Sequence, residues 1–173
     1  MPKKKPIDNA AAPGVPWIAV DPGAHTAVAV FTPAKARPHF TKVTSFRTRE
    51  GPWIMRMKSI VMRFDTFLSE IRCGAMFIEE PKAFTSVATH KGDQMKIDAI
   101  YGMLCAVGFL RGMLVVPVPV NEWKGQLTKA MTEKRTLDLI GWDAANHTEH
   151  EFDAMGIAIY VNKQWNKENN NAR

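Results

Sequence analysis

The stretch WIAVDPGAHTAVAVF, residues 17–31, decides how the rest of the chain is read. An apolar run ends on Asp21, a Pro-Gly pair follows, and a second apolar run answers it, the pattern of two strands joined by a short turn. Taken alone, Asp-Pro-Gly is turn chemistry. Pro22 presets its own φ, Gly23 supplies a backbone angle that other residues avoid, and Asp21 can bond its own backbone. An acid at the tip of a buried strand gains catalytic meaning only if other acids arrive beside it.

Downstream, turn residues lead to a third strand near 39–46, so residues 17–46 read as an antiparallel meander. In WIMRMKSIVMRFDTFLSEIR, the residues Trp53, Met57, Ile60, Val61, Phe64, Phe67, Leu68 and Ile71 recur every three or four positions, which predicts an amphipathic helix. AMFIEE, residues 75–80, is a short continuous apolar run ending in acids, expected to be buried on both faces and parallel to a neighbour. A second helix is predicted around Met95–Leu110. The strand LVVPVPV that follows carries prolines suited to a sheet edge. NEWKGQLTKAMTEKRTLDLIGW reads as mostly helical. In HTEHEFDAMGIAIYVNKQW, Thr148 and Glu151 form a capping box that starts a last helix at Thr148. This order of elements predicts an α/β domain with a central mixed five-stranded sheet flanked by helices.

The chain has 173 residues, 46% hydrophobic and 23% charged, ordinary values for a globular protein. At this length a single domain buries roughly 70% of its unfolded surface without disulfide or metal staples. Residues 1–16 and 166–173 lack apolar periodicity and read as disordered tails, the first of them basic, around one domain, 17–165. No run approaches the ~20 apolar residues of a membrane span, and the N-terminus lacks the apolar core of a secretory signal. The expectation is an intracellular, cytoplasmic protein, with PKKKP leaving a nuclear or viral context open. Cys73 and Cys105 have no paired spacing and read as small buried hydrophobes. A formal charge of +6 favours an anionic partner, nucleic acid first.

If the strands ending at Asp21 and Glu79 lie side by side and parallel, both carboxylates emerge at one sheet edge, where sites of open α/β sheets collect. His150 and Asp153, three apart, share a face of the last helix, and Ala154, Ile157 and Ala158 form an apolar strip able to seat that helix on the sheet. Singly, each group has an ordinary explanation as a turn, strand end or helix-cap residue. Together they make an oxygen-rich set suited to Mg2+.

These motifs, in this order, resemble the RuvC-type Holliday junction resolvases within the ribonuclease H-like nucleases. The resemblance rests on Asp-Pro-Gly at Asp21, FIEE at Glu79, HEFDAMGIA with His150 and Asp153, and WKGQLTKAMTEKR with Lys124 and Lys134, and it runs from about Trp17 to Tyr160. It implies a ribonuclease H-like fold and two-metal phosphodiester hydrolysis with Mg2+, for which Mn2+ would substitute. Asp21, Glu79 and Asp153 would be metal ligands. His150 would be a further ligand or act on the attacking water, and Lys124 and Lys134 would stabilise phosphate charge.

PKAFTSVATHKGDQMK is the expected DNA-contacting segment, with Lys82, Lys91 and Lys96 for phosphates and Phe84 as a wedge. The implied partners are branched DNA and a second copy of the chain, with no membrane and no small-molecule cofactor. The helix at Met95–Met113 is the face expected for the dimer. Glu80, EEPKAF and the basic N-terminal tail depart from the bacterial pattern and leave a phage or viral origin open. The rival readings are a ribonuclease H-like nuclease acting on RNA/DNA hybrids or flaps, and a non-catalytic branched-DNA-binding module. An actin-like nucleotide-binding protein would need a second phosphate loop, which the chain lacks.

Overall fold

A computed structural model of the chain describes residues 14–48, 50–81, 91–125, 128–140 and 146–171, apart from the side chains of residues 91–93 and 129. Five strands, β1 (Trp17–Asp21), β2 (His25–Thr32), β3 (His39–Arg47), β4 (Ala75–Glu80) and β5 (Leu114–Pro119), form one sheet in the order β3-β2-β1-β4-β5. β1, β2 and β3 are antiparallel neighbours, whereas β4 runs parallel to both β1 and β5. The sheet is therefore mixed, as the sequence predicts, and the proline-bearing β5 lies at its edge.

The even-numbered residues Ile18, Val20, Val28, Val30, Met76 and Ile78 pack on one face against α1 (Trp53–Glu70) and α2 (Lys91–Leu110). The odd-numbered residues Trp17, Ala19, Ala27, Ala29, Ala75 and Phe77 pack on the other face with α5 (Glu149–Asn171). Because strand side chains alternate between faces, this division carries a functional consequence: Asp21 continues the series 17, 19, 21 and Glu79 the series 75, 77, 79. Both acids thus belong to the α5 face. Alanines dominate that face and meet Ala154, Ile157 and Ala158 of α5, all fully buried, so the helix sits close to the sheet.

Thr148 caps α5 as expected: its Oγ1 accepts from the Glu151 amide at 3.3 Å, and Glu151 Oε2 accepts from the Thr148 amide at 2.8 Å. Two short helices, α3 (Val120–Trp123) and α4 (Lys129–Ile140), connect β5 to α5.

Three sequence expectations change. Gly23 does not occupy the left-handed region; the turn is held instead by Thr26, whose hydroxyl accepts from the Gly23 amide at 3.2 Å and donates to the Gly23 carbonyl at 2.7 Å. Cys105 is buried, but Cys73 is only partly so. Residues 166–171 continue α5 rather than forming a tail. Asn162 accepts from the Ala34 amide at 2.8 Å and Asn166 donates to the Ala34 carbonyl at 2.9 Å, so side-chain amides tie this part of α5 to the connection after β2. Residues 1–13 lie outside the described residues.

Candidate active site

The parallel pairing of β1 and β4 aligns Val20 with Ile78, so Asp21 and Glu79 lie level at the carboxyl edge of two adjacent strands. A slip of one residue would send Glu79 to the opposite face, so the hydrophobic register of the sheet also fixes this pair. The N-terminal turn of α5 ends at the same edge. There His150 Nδ1 lies 2.7 Å from Asp21 Oδ2, a spacing at which the ring nitrogen donates to the carboxylate.

Asp153, one turn along α5, is grasped by Lys124, whose Nζ is 2.9 Å from Oδ1 and 2.7 Å from Oδ2. Glu79 Oε2 accepts a 2.9 Å hydrogen bond from Trp123 Nε1. Asp21, Glu79, Lys124 and His150 line one cleft of about 640 Å3, together with Trp53 and Lys96.

The electrostatics are those of crowded acids. Burial, then the charges of Asp21 and Asp153, push the Glu79 carboxyl up to about 7. Burial likewise raises Asp21, against the opposing contact with His150. The hydrogen bond to Asp21 raises the His150 imidazole above its ordinary value, more than burial lowers it. His25, lowered chiefly by burial and next by His150, packs against His150 with ring centroids 4.5 Å apart and the rings tilted at 57°.

The structure thus gathers Asp21, Glu79, His150, Asp153 and Lys124, and it brings Lys96 to the same cleft. Lys134 is exposed on α4 and, among the described residues, no hydrogen bond or ion pair joins it to the cluster. Lys82, Phe84 and the side chain of Lys91 lie outside the described residues. As arranged, no three His, Cys, Asp or Glu side chains among the described residues are placed to share one metal ion. Each acid instead engages a partner of its own: Asp153 the ammonium of Lys124, Asp21 the imidazole of His150 and Glu79 the indole of Trp123.

Two residues of the site escape the sequence reading. Trp123 is buried against α5, where a Cβ on Gly156 would come within 2.7 Å of its Cζ3, so the glycine makes room for the indole. Its adjacency to Lys124 is the only sequence signal that could have found it. His25 opens β2 and carries no local motif at all.

No family model and no curated protein matches the sequence. Solved structures do. Thermus thermophilus RuvC in complex with a Holliday junction substrate superposes with a TM-score of 0.71 at 20% identity, over 84% of this chain and 92% of that one. A second Thermus thermophilus RuvC structure gives 0.70 at 18% identity, covering 90% and 97%. The yeast mitochondrial Holliday junction resolvase Ydc2 gives 0.63 at 12% identity, covering 93% and 81%. The fold is the RuvC-like form of the ribonuclease H-like α/β architecture.

Proposed function

We propose that this chain is a metal-dependent endonuclease that cuts four-way or otherwise branched DNA by phosphodiester hydrolysis, acting as a two-fold homodimer. The observation that carries the reading is the convergence of Asp21, Glu79 and Asp153, from β1, β4 and α5, on one sheet edge. Support also comes from the shared fold, since one of the similar structures is bound to a Holliday junction substrate.

The donor chemistry fits Mg2+. Three carboxylates are hard oxygen ligands, and a dication would offset both the burial that chiefly raises the Glu79 carboxyl and the charges of Asp21 and Asp153 that add to it. Asp21, Glu79 and Asp153 would hold the metal, which must compete with Lys124 for Asp153. A bound pair of ions would supply an activated water and offset charge on the leaving oxygen.

The chain's own groups do the rest. Asp21 fixes the ring of His150 through Nδ1, which leaves the other ring nitrogen to take a proton from water. Lys124, once off Asp153, offers an ammonium to the phosphate. Lys96, on the cleft wall 5.8 Å from the Trp53 ring, meets the incoming strand. The exposed Met95, Met103, Phe109 and Leu110 of α2 suit burial against a second copy.

The test is cleavage of a labelled four-way junction, a flap, a linear duplex and an RNA/DNA hybrid with Mg2+, Mn2+ or EDTA. Junction cleavage that requires metal and exceeds cleavage of the other three is the expected result. Metal-independent cleavage, or a preference for the hybrid, would overturn it.

A further inference from the structure

Outside the active cleft, one surface combines charge and shape in a way that the catalytic reading leaves unused. Between α1 and the edge strand β3 runs an open groove of about 780 Å3, floored by Phe46 and Phe67. Its walls carry Lys42, Lys58 and Arg63, interleaved with the hydroxyls of Thr44, Ser59 and Thr66. Its one acid, Glu70, lies at the distal end 3.8 Å from Lys42. Lys58 and Arg63 are exposed and, among the described residues, pair with no carboxylate; the guanidinium of Arg63 reaches only the Arg47 carbonyl, at 3.4 Å. Cations left unneutralised beside hydroxyl donors form a surface complementary to phosphate oxygens.

The groove also runs up toward the site, although among the described residues none lines both. Trp53, at the start of α1, lines the active cleft, and the guanidinium of Arg56 lies 5.7 Å from the Trp53 ring centroid. Arg47, at the end of β3, pairs in register with His25, the residue whose ring packs against His150. From this end α1 runs back along β3 until Glu70 meets Lys42, so the groove leads away from the cleft along the flank. The span from Met55 to Glu70 is about 20 Å at 1.5 Å per helical residue, room for about six phosphates of one strand at 3.4 Å each.

We infer that the α1–β3 groove is a track for the phosphate backbone of a DNA arm leaving the active cleft, with Lys58 and Arg63 as its principal contacts. The inference rests on the proposed junction-cleaving function and adds to it the path of one arm on this flank, separate from the segment after β4.

The test is metal-free binding of the full chain to a labelled four-way junction between about 50 and 200 mM salt. Wild type is compared with Lys58→Gln/Arg63→Gln, and with Lys163→Gln/Lys167→Gln as a control of equal charge change on exposed positions of α5. Circular dichroism verifies folding of each. The groove pair should lower the slope of log K against log salt by about 2, and the α5 pair should leave it unchanged. Equal losses in both pairs would mean diffuse attraction and overturn the track, as would an unchanged slope in the groove pair. Loss of binding to polyglutamate but not to DNA in the groove pair would reassign the groove to an acidic protein. If wild type cleaves junctions while the groove pair binds like wild type, only the track falls. If wild type neither binds nor cleaves, the functional reading falls with it.

Discussion

At the carboxyl edge of β1 and β4, three acids from distant parts of the chain converge in a largely buried site, each engaged by its own partner. On the α1–β3 flank, cations from two neighbouring elements are strung along an open groove. The acids cost the fold something, because burial and mutual repulsion disfavour their charged forms. The cations are exposed, and water screens them from one another. The comparison separates two uses of charge: concentrated charge builds chemistry at a cost in stability, and dispersed charge builds affinity at almost none.

The largest expected effect lies in the acid cluster. Asp21→Asn should lower junction cleavage on the order of a thousandfold, the scale of losing one preorganised electrostatic group, while leaving junction binding intact. Gel shift and cleavage on one preparation check this, and joint loss of binding and activity in a folded variant would make Asp21 a turn residue after all. His150 comes next. Its neutral form is the one able to act on water, and the Asp21 contact raises its pKa, so wild-type activity should fall as pH drops through a value above 6.5. His150→Ala should lose most activity at every pH, whereas His150→Asp should retain substantial activity without the histidine limb. Rates from about pH 5.5 to 9 at fixed Mg2+ distinguish the three proteins.

Glu79 tests the stability half of the comparison. Its carboxyl is raised from 4.5 to about 7 in the fold, so the folded state binds that proton more tightly than the unfolded chain does. The resulting stabilisation is fully present below about 4.5 and is lost as pH rises through about 7. Metal-free Glu79→Gln should therefore be more stable than wild type at pH 8 by up to about 3 kcal/mol, and inactive. Urea unfolding in EDTA at pH 5 and pH 8 reads this directly, and equal stability at pH 8 would refute it. The smallest effect belongs to Trp123→Phe, which keeps a ring against Gly156 but removes the N–H that holds Glu79. Cleavage should fall about tenfold with the melting temperature nearly unchanged. Unaltered kinetics would reduce Trp123 to packing.

What could be read from the sequence follows the range of the forces involved. Strand and helix identities are local: the apolar runs around Asp21 and Glu79 and the Thr148–Glu151 capping box each specify their element within a few residues. The same alternation that builds the core carries Asp21 and Glu79 to one face, so the heart of the site was legible too. The partners of those acids were less so. That Trp123 serves Glu79, 44 positions away, and that His25 packs against His150 depend on how β5, α3 and α5 are arranged, which no local pattern encodes. The end of α5 misled for a related reason. NKENNNAR is polar throughout, yet Asn162 and Asn166 reach the chain at Ala34 through hydrogen bonds that periodicity does not register.

The adjacency of Trp123 and Lys124 in the chain has a mechanical consequence. One grips Glu79 and the other Asp153, and the Lys124 amide bonds back to the Val120 carbonyl at 3.0 Å, so both grips hang from a single helical turn. A shift of that turn would carry both partners with it, so two carboxylates from opposite halves of the sequence are held by neighbouring side chains of one turn, residues 120–124.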